Sequence, residues 1–210
     1  MRRILVPMFI LAAAAMALAG CSTDKPTRLY VLSATAAQPA TMSPQGIGIG
    51  VGPVTLPKYL DRPQIVMGVS ANELSQANLD QWGGDLNDNI TRVLATNLAN
   101  LLGTERVSLY PWQNRAPIDY QVTMDVTKFE QAADGSTVLS AFWSITNPSD
   151  GTVLQMHQST YRDAGAAGEA GGQTTTAGAR PYDAVVAAMS RDLGALSRDI
   201  AAAIVALKAS

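Results

Sequence analysis

One cysteine and one histidine in 210 residues leave little material for metal or nucleophile chemistry. A zinc centre draws three or four ligands from cysteine, histidine and carboxylate side chains, and Cys21 with His157 falls short of the usual sets. A lone cysteine also forbids any disulfide within the chain. Basic charge is scarce too, with 15 Lys and Arg against 17 Asp and Glu. Without a cationic field, the composition excludes nucleic-acid binding and electrostatic adhesion to anionic lipid heads as main functions.

The few candidate catalytic groups lack companions. His157 sits between Met156 and Gln158 in a strand pattern, with no serine elbow or partner acid, and reads as a partly buried structural residue. Asp61, Glu73, Asp80, Asp85 and Asp88 show no pairing of the glycosidase kind and no aspartate-rich calcium loop. They read as solvated surface and helix-start charge. The chain is not expected to be an enzyme.

What is present begins at the N-terminus. Met1, Arg2 and Arg3 precede an uncharged run, Ile4 to Ala19, of about 16 residues, short of the roughly 20 that span a bilayer. Residues 1–20 therefore read as a removable signal peptide. Leu18, Ala19, Gly20 and Cys21 resemble the lipobox of bacterial lipoproteins. That resemblance makes Cys21 the lipid attachment residue, carrying N-acyl and S-diacylglycerol groups, with no other cofactor and no metal expected. Two or three acyl chains give a near-permanent anchor, whereas one binds only marginally. Ser22, where an aspartate would retain a Gram-negative lipoprotein at the inner membrane, points to the periplasmic face of the outer membrane. Cleavage leaves 13 basic against 17 acidic side chains, a net charge of −4.

Residues 21–45 read as the lipidated N-terminus, a first short strand near 28–34 and a loop rich in Ser, Thr, Pro, Ala and Gln. In residues 46–54, Gly46, Gly48, Gly50 and Gly52 alternate with Ile47, Ile49 and Val51, a strand with one apolar face and one bare face. A bare face marks close approach of another element, or room for a ligand. Pro53 and Pro57 stand where a nucleotide-binding glycine loop would need a helix start. Further strands are predicted at 64–70 and 106–110. Residues 118–127 alternate apolar with polar, and hairpin signals at Asp134–Gly135 and Asn147–Gly151 extend them into a three-strand antiparallel meander.

Two segments have helical spacing. Leu86, Ile90, Val93, Leu94, Leu98, Leu101 and Leu102 form one stripe over 85–102, stopped by Gly103. Tyr182, Val185, Met189, Leu193, Leu196, Ile200, Ile204 and Leu207 form another, started by Pro181. Residues 164–179, low in apolar bulk, are expected to be mobile. The predicted fold is α/β: a mixed, largely antiparallel sheet packed with two long amphipathic helices in a single domain. Trp143 falls in the apolar alternation and is expected in the core. Trp82, before the first helix, and Trp112, in a proline loop, are candidates for exposed contact residues.

The stretches "RLYVL", "IGVGPVTLPKYLDRPQIV" (49–66), Trp82 before "LNDNITRVLATNLANLL", and "IDYQVTMDVTKFE" followed by "LSAFWSI" resemble the ABC-type transport auxiliary lipoproteins. Within them the chain is most similar to the paraquat-inducible protein C type. Residues 46–210, with the strand at 28–34, would form the family's domain. The resemblance implies an outer-membrane lipoprotein that supports envelope integrity. It would dock the periplasmic end of a lipid-conducting tube built by a membrane-anchored protein with mammalian-cell-entry (MCE) domains. It further implies a ring-shaped homo-oligomer and no nucleic-acid partner. Tyr59, Leu60, Asp61 and Arg62 are either a subunit or partner interface or a simple turn before a strand. The other functional reading is a monomeric lipid-binding carrier using the space beside Gly46–Gly52.

Overall fold

The computed structural model describes residues 26–36, 46–112, 117–166 and 182–209. Eight strands run as β1 (Arg28–Tyr30), β2 (Ile49–Thr55), β3 (Gln64–Gly68), β4 (Leu74–Trp82), β5 (Val107–Leu109), β6 (Tyr120–Gln131), β7 (Thr137–Thr146) and β8 (Val153–Asp163). Two helices accompany them, α1 (Leu86–Leu102) and α2 (Asp183–Ala209). The expectations for the signal segment, Cys21, Pro181 and most of 164–179 fall outside the described residues; Ala164–Ala166 form one 3-10 turn.

One sheet holds all eight strands. Its order is β1-β4-β3-β6-β2-β5, and β7 pairs with the other side of β6, followed by β8. The long pairings, β6 with β7 and β7 with β8, are antiparallel, as is β3 with β4. The short ones, β1 with β4 and β2 with β5 and β6, are parallel. The expected mixed, largely antiparallel sheet is thus present, with the meander as its spine. A bulge between Val126 and Lys128 keeps Phe129 facing Leu139 on the inner side.

Both helices cover one face. Cross-strand pairs Val122–Ile145, Met124–Trp143, Val126–Ala141 and Phe129–Leu139 point toward them. The whole α1 stripe is buried, as are the central residues of the α2 stripe from Val185 to Ile204. Asp85 caps α1 by accepting from the Asn87 amide at 2.8 Å, and Gly103 ends it in the left-handed conformation. The α2 stripe is core.

Two expectations are corrected, and one strand is added. The strand near 28–34 stops at Tyr30, and residues 31–36 continue as a strap across α2. The strap is held by the Thr35 hydroxyl donating to the Ser190 carbonyl and by Gly194, where a Cβ would lie 2.2 Å from Thr35 Oγ1. Strand β4 was invisible as a pattern because its inward residues are Ala77, Asp80 and Trp82, one small, one charged and one aromatic. Asp80 is buried rather than solvated: Arg28 donates to both its oxygens at 2.5 and 2.6 Å, and the Tyr30 hydroxyl adds a third bond at 2.9 Å. The Arg28 contact, more than that of Tyr30, holds the Asp80 carboxyl below its ordinary range.

Asn97 joins α1, α2 and the strap in the interior. It is fully buried, accepts from the Ala36 amide at 3.1 Å and donates to Ser197 Oγ at 3.1 Å. Asn97→Ala leaves a buried backbone donor unpaired and is expected to cost about 1 to 2 kcal/mol, measured by denaturant unfolding. A variant as stable as the parent would show that the strap is not fixed through Asn97.

Candidate functional site

The proline-bounded segment Leu56 to Pro63 divides its four candidate residues between core and solvent. Leu60 is 2% exposed and belongs to the core, closed into a turn by its amide donating to the Pro57 carbonyl. Tyr59 is half-buried, its hydroxyl 3.4 Å from the Thr127 carbonyl. Burial, and then the neighbouring Glu130 carboxylate, push that hydroxyl above its ordinary range. Asp61 and Arg62 point outward. Asp61 meets Lys58 at 3.5 Å, a pair exposed enough to contribute little, and Arg62 donates to Gln76 Oε1 at 2.9 Å. The apolar pair serves the core and the charged pair faces water, so the segment is both a turn and a surface.

Trp82 is corrected from contact residue to core residue. It ends β4 with 4% exposure, pairs with Tyr30 across to β1, and its amide donates to the Pro63 carbonyl at 2.7 Å. Trp112 keeps a surface, at 36% exposure, with Tyr110 at 51%. The two rings meet edge to face with centroids 5.5 Å apart. Trp143 is in the core as expected, while His157 is exposed and stacks on its ring at 4.5 Å. The rings meet because Trp143 pairs with His157 on β8, the outermost strand; His157 is thereby corrected from a partly buried residue to an exposed one.

The bare glycine face is occupied. A Cβ on Gly48 would lie 2.1 Å from the Pro117 carbonyl oxygen, one on Gly50 would lie 2.8 Å from the Trp112 ring, and one on Gly52 would lie 2.7 Å from Tyr110. The glycines let the segments before and after 113–116 lie flat on β2, which removes the room invoked for a carried lipid.

Two grooves flank the start of α1, one beside Asp61 and Arg62 and the other beside Tyr110. A groove of about 300 Å³ is lined by Leu60, Asp61, Arg62, Gly84 and Asp85. Another, of about 530 Å³, is lined by Asp88, Thr91, Arg92, Leu109, Tyr110 and Pro111. The first two turns of α1 separate them, giving a rim of mixed charge with exposed aromatics. Sequence reasoning missed Asp88, Arg92 and Tyr110 as members of this rim; Asp88 and Arg92 lie on α1, and the parallel pairing of β5 with β2 brings Tyr110 beside them. Among the described residues, no group of three His, Cys, Asp or Glu side chains is placed to hold a metal ion.

Residues 30–201 match the family described as ABC-type transport auxiliary lipoprotein component. The chain belongs to this family. Solved structures extend the likeness in fold. Protein XCC0632 from Xanthomonas campestris shares 15% identity with the auxiliary lipoprotein at a TM-score of 0.68, covering 87% of this chain and 98% of that one. A second solved protein, described only as uncharacterized, shares 18% identity at a TM-score of 0.62, covering 86% and 99%. At these identities both show the fold alone. No curated protein matches the sequence. Membership in an auxiliary lipoprotein family implies anchoring to a membrane, and no helix among the described residues is long and apolar enough to cross one.

Proposed function

We propose that this auxiliary lipoprotein is held through a lipidated Cys21 on the periplasmic face of the outer membrane, where it docks the end of a lipid-conducting tube formed by an MCE-domain partner. It acts as a non-catalytic component and as a ring of identical subunits. The observation that carries the reading is the family match over 30–201, which covers β2 to β8, all of α1 and α2 as far as Ala201. The rim around the start of α1 supports it: Asp61, Arg62, Arg92, Tyr110 and Trp112 combine charge that selects a partner with aromatic area that holds it. The carrier reading is weakened by the filled glycine face.

Asp61→Arg and Arg92→Glu test the rim, since both side chains are exposed and neither belongs to the core. Each variant is expected to fold normally by circular dichroism and to recover at least tenfold less MCE-domain partner, or to change oligomer mass. Parental oligomer mass together with parental partner recovery would remove the rim from the account.

A further inference from the structure

The rim leaves another apolar surface unused. Leu29 and Val31 are 58% and 57% exposed, alternating with the buried Tyr30 and Leu32. They lie over Gly83, where a Cβ would sit 3.0 Å from Val31 Cγ1. They also form one wall of a groove of about 1040 Å³ that runs from Ser33 of the strap along α2 past Asp183, Ser190, Arg191, Asp192 and Arg198. Arg191 is committed to Asp163 at 2.6 Å, whereas Arg198 has no ion pair among the described residues. β1 is an edge strand, paired only with β4.

The chain's own tether says what lies beside this edge. Only Ser22, Thr23, Asp24 and Lys25 separate Cys21 from Pro26, the first described residue. Five residue steps reach at most about 18 Å. An acyl anchor on Cys21 therefore holds the start of β1 within reach of the bilayer, and Leu29 and Val31 follow within a few residues. The other exposed apolar residues at the meander edge, Val153, Leu154 and Met156, lie at the opposite end of β8 from Tyr161 and Asp163, which line the groove. At about 3.3 Å per residue, Val153 is roughly 30 Å from that end of the strand.

We propose that the β1 edge is the membrane-seating surface: Leu29 and Val31 enter the interfacial layer of the phospholipid bilayer, and Arg198 faces the headgroup phosphates. Two apolar side chains are too few to bind a membrane unaided. Tethered, they meet it at an effective concentration in the millimolar range, enough to orient a domain that the acyl chains already retain. This inference rests on the lipid anchor at Cys21.

The test uses the full lipidated protein in vesicles of phosphatidylethanolamine and phosphatidylglycerol. Acylation leaves no free thiol, so Leu29→Cys, Val31→Cys and, as the distant control, Val153→Cys can each carry one environment-sensitive fluorophore. Labels at 29 and 31 are expected to brighten several-fold and to be quenched by spin-labelled phospholipid, while the label at 153 is quenched by aqueous iodide. Iodide quenching at 29 and 31 equal to that at 153 would overturn the inference and leave the anchor intact. Labels at 29 and 31 shielded from both quenchers would assign the edge to a second protein chain and overturn it equally. Protein that fails to float with the vesicles would overturn the anchor, and the inference with it.

Discussion

Gly48→Ala is expected to lower stability by about 3 kcal/mol, a fall in Tm of roughly 6 to 12 °C for a domain of this size. The added methyl would lie 2.1 Å from the Pro117 carbonyl oxygen, which is backbone and cannot rotate away. The same residues carry a local clamp. Gly48 donates to Asp119 at 2.6 Å, its carbonyl accepts from the Asp119 and Tyr120 amides, and Arg106 donates to the Pro117 carbonyl at 3.0 Å. Moving Pro117 breaks several of these bonds at once. Gly50→Ala is the control: its methyl meets the far edge of the Trp112 ring at 2.8 Å and Ile118 Cγ2 at 3.0 Å, both side chains rather than backbone. It should change tryptophan fluorescence with a smaller loss of Tm. Equal Tm losses in the two variants would mean that the ring, not the backbone, is the rigid cover on β2.

Asp192→Asn is expected to stabilise the protein by up to about 3 kcal/mol at pH 7.5 and by less than about 1 kcal/mol at pH 4.5. Asp192 is 3% exposed on α2, accepts a hydrogen bond from the Thr137 hydroxyl at 2.7 Å, and is faced by Asp163, Arg191 and Arg162. Burial, reinforced by the nearby Asp163 charge, pushes its carboxyl up to about 6. In the unfolded chain the same group titrates near 4. Between about pH 4 and 6 the native state therefore binds the proton more tightly, and stability falls as pH rises through that window. Above it the full cost of a buried carboxylate is present, and the asparagine isostere removes that cost while keeping an acceptor for Thr137. Urea unfolding of both proteins at the two pH values checks this; an equal difference at both would show that the native carboxyl titrates normally.

The helices and the meander were legible because their inward residues are apolar at regular spacing. Leu86 to Leu102 repeats at helical intervals, and Ile118 to Val126 alternates. Where inward positions are polar or small, the pattern fails. β4 presents Asp80 to the interior and neutralises it with Arg28, a residue 52 positions away, and no local window contains both. Trp82 stood just before the first helix and so read as surface; it is core at the end of β4, where β1 pairs alongside and sets Tyr30 next to it. The four residues Tyr59 to Arg62 offered one apolar and one charged pair without saying which faced out, and the turn at Leu60 decides it. The glycine alternation was readable as a close-approach surface, but the identity of its cover depends on a chain segment more than 50 residues later.

The docking account is tested most directly by crosslinking the lipidated protein in intact envelopes, then measuring the mass of the native complex and identifying its members. The account predicts a multimer of this chain bound to an MCE-domain protein. A monomer carrying phospholipid, with no such partner, would contradict it.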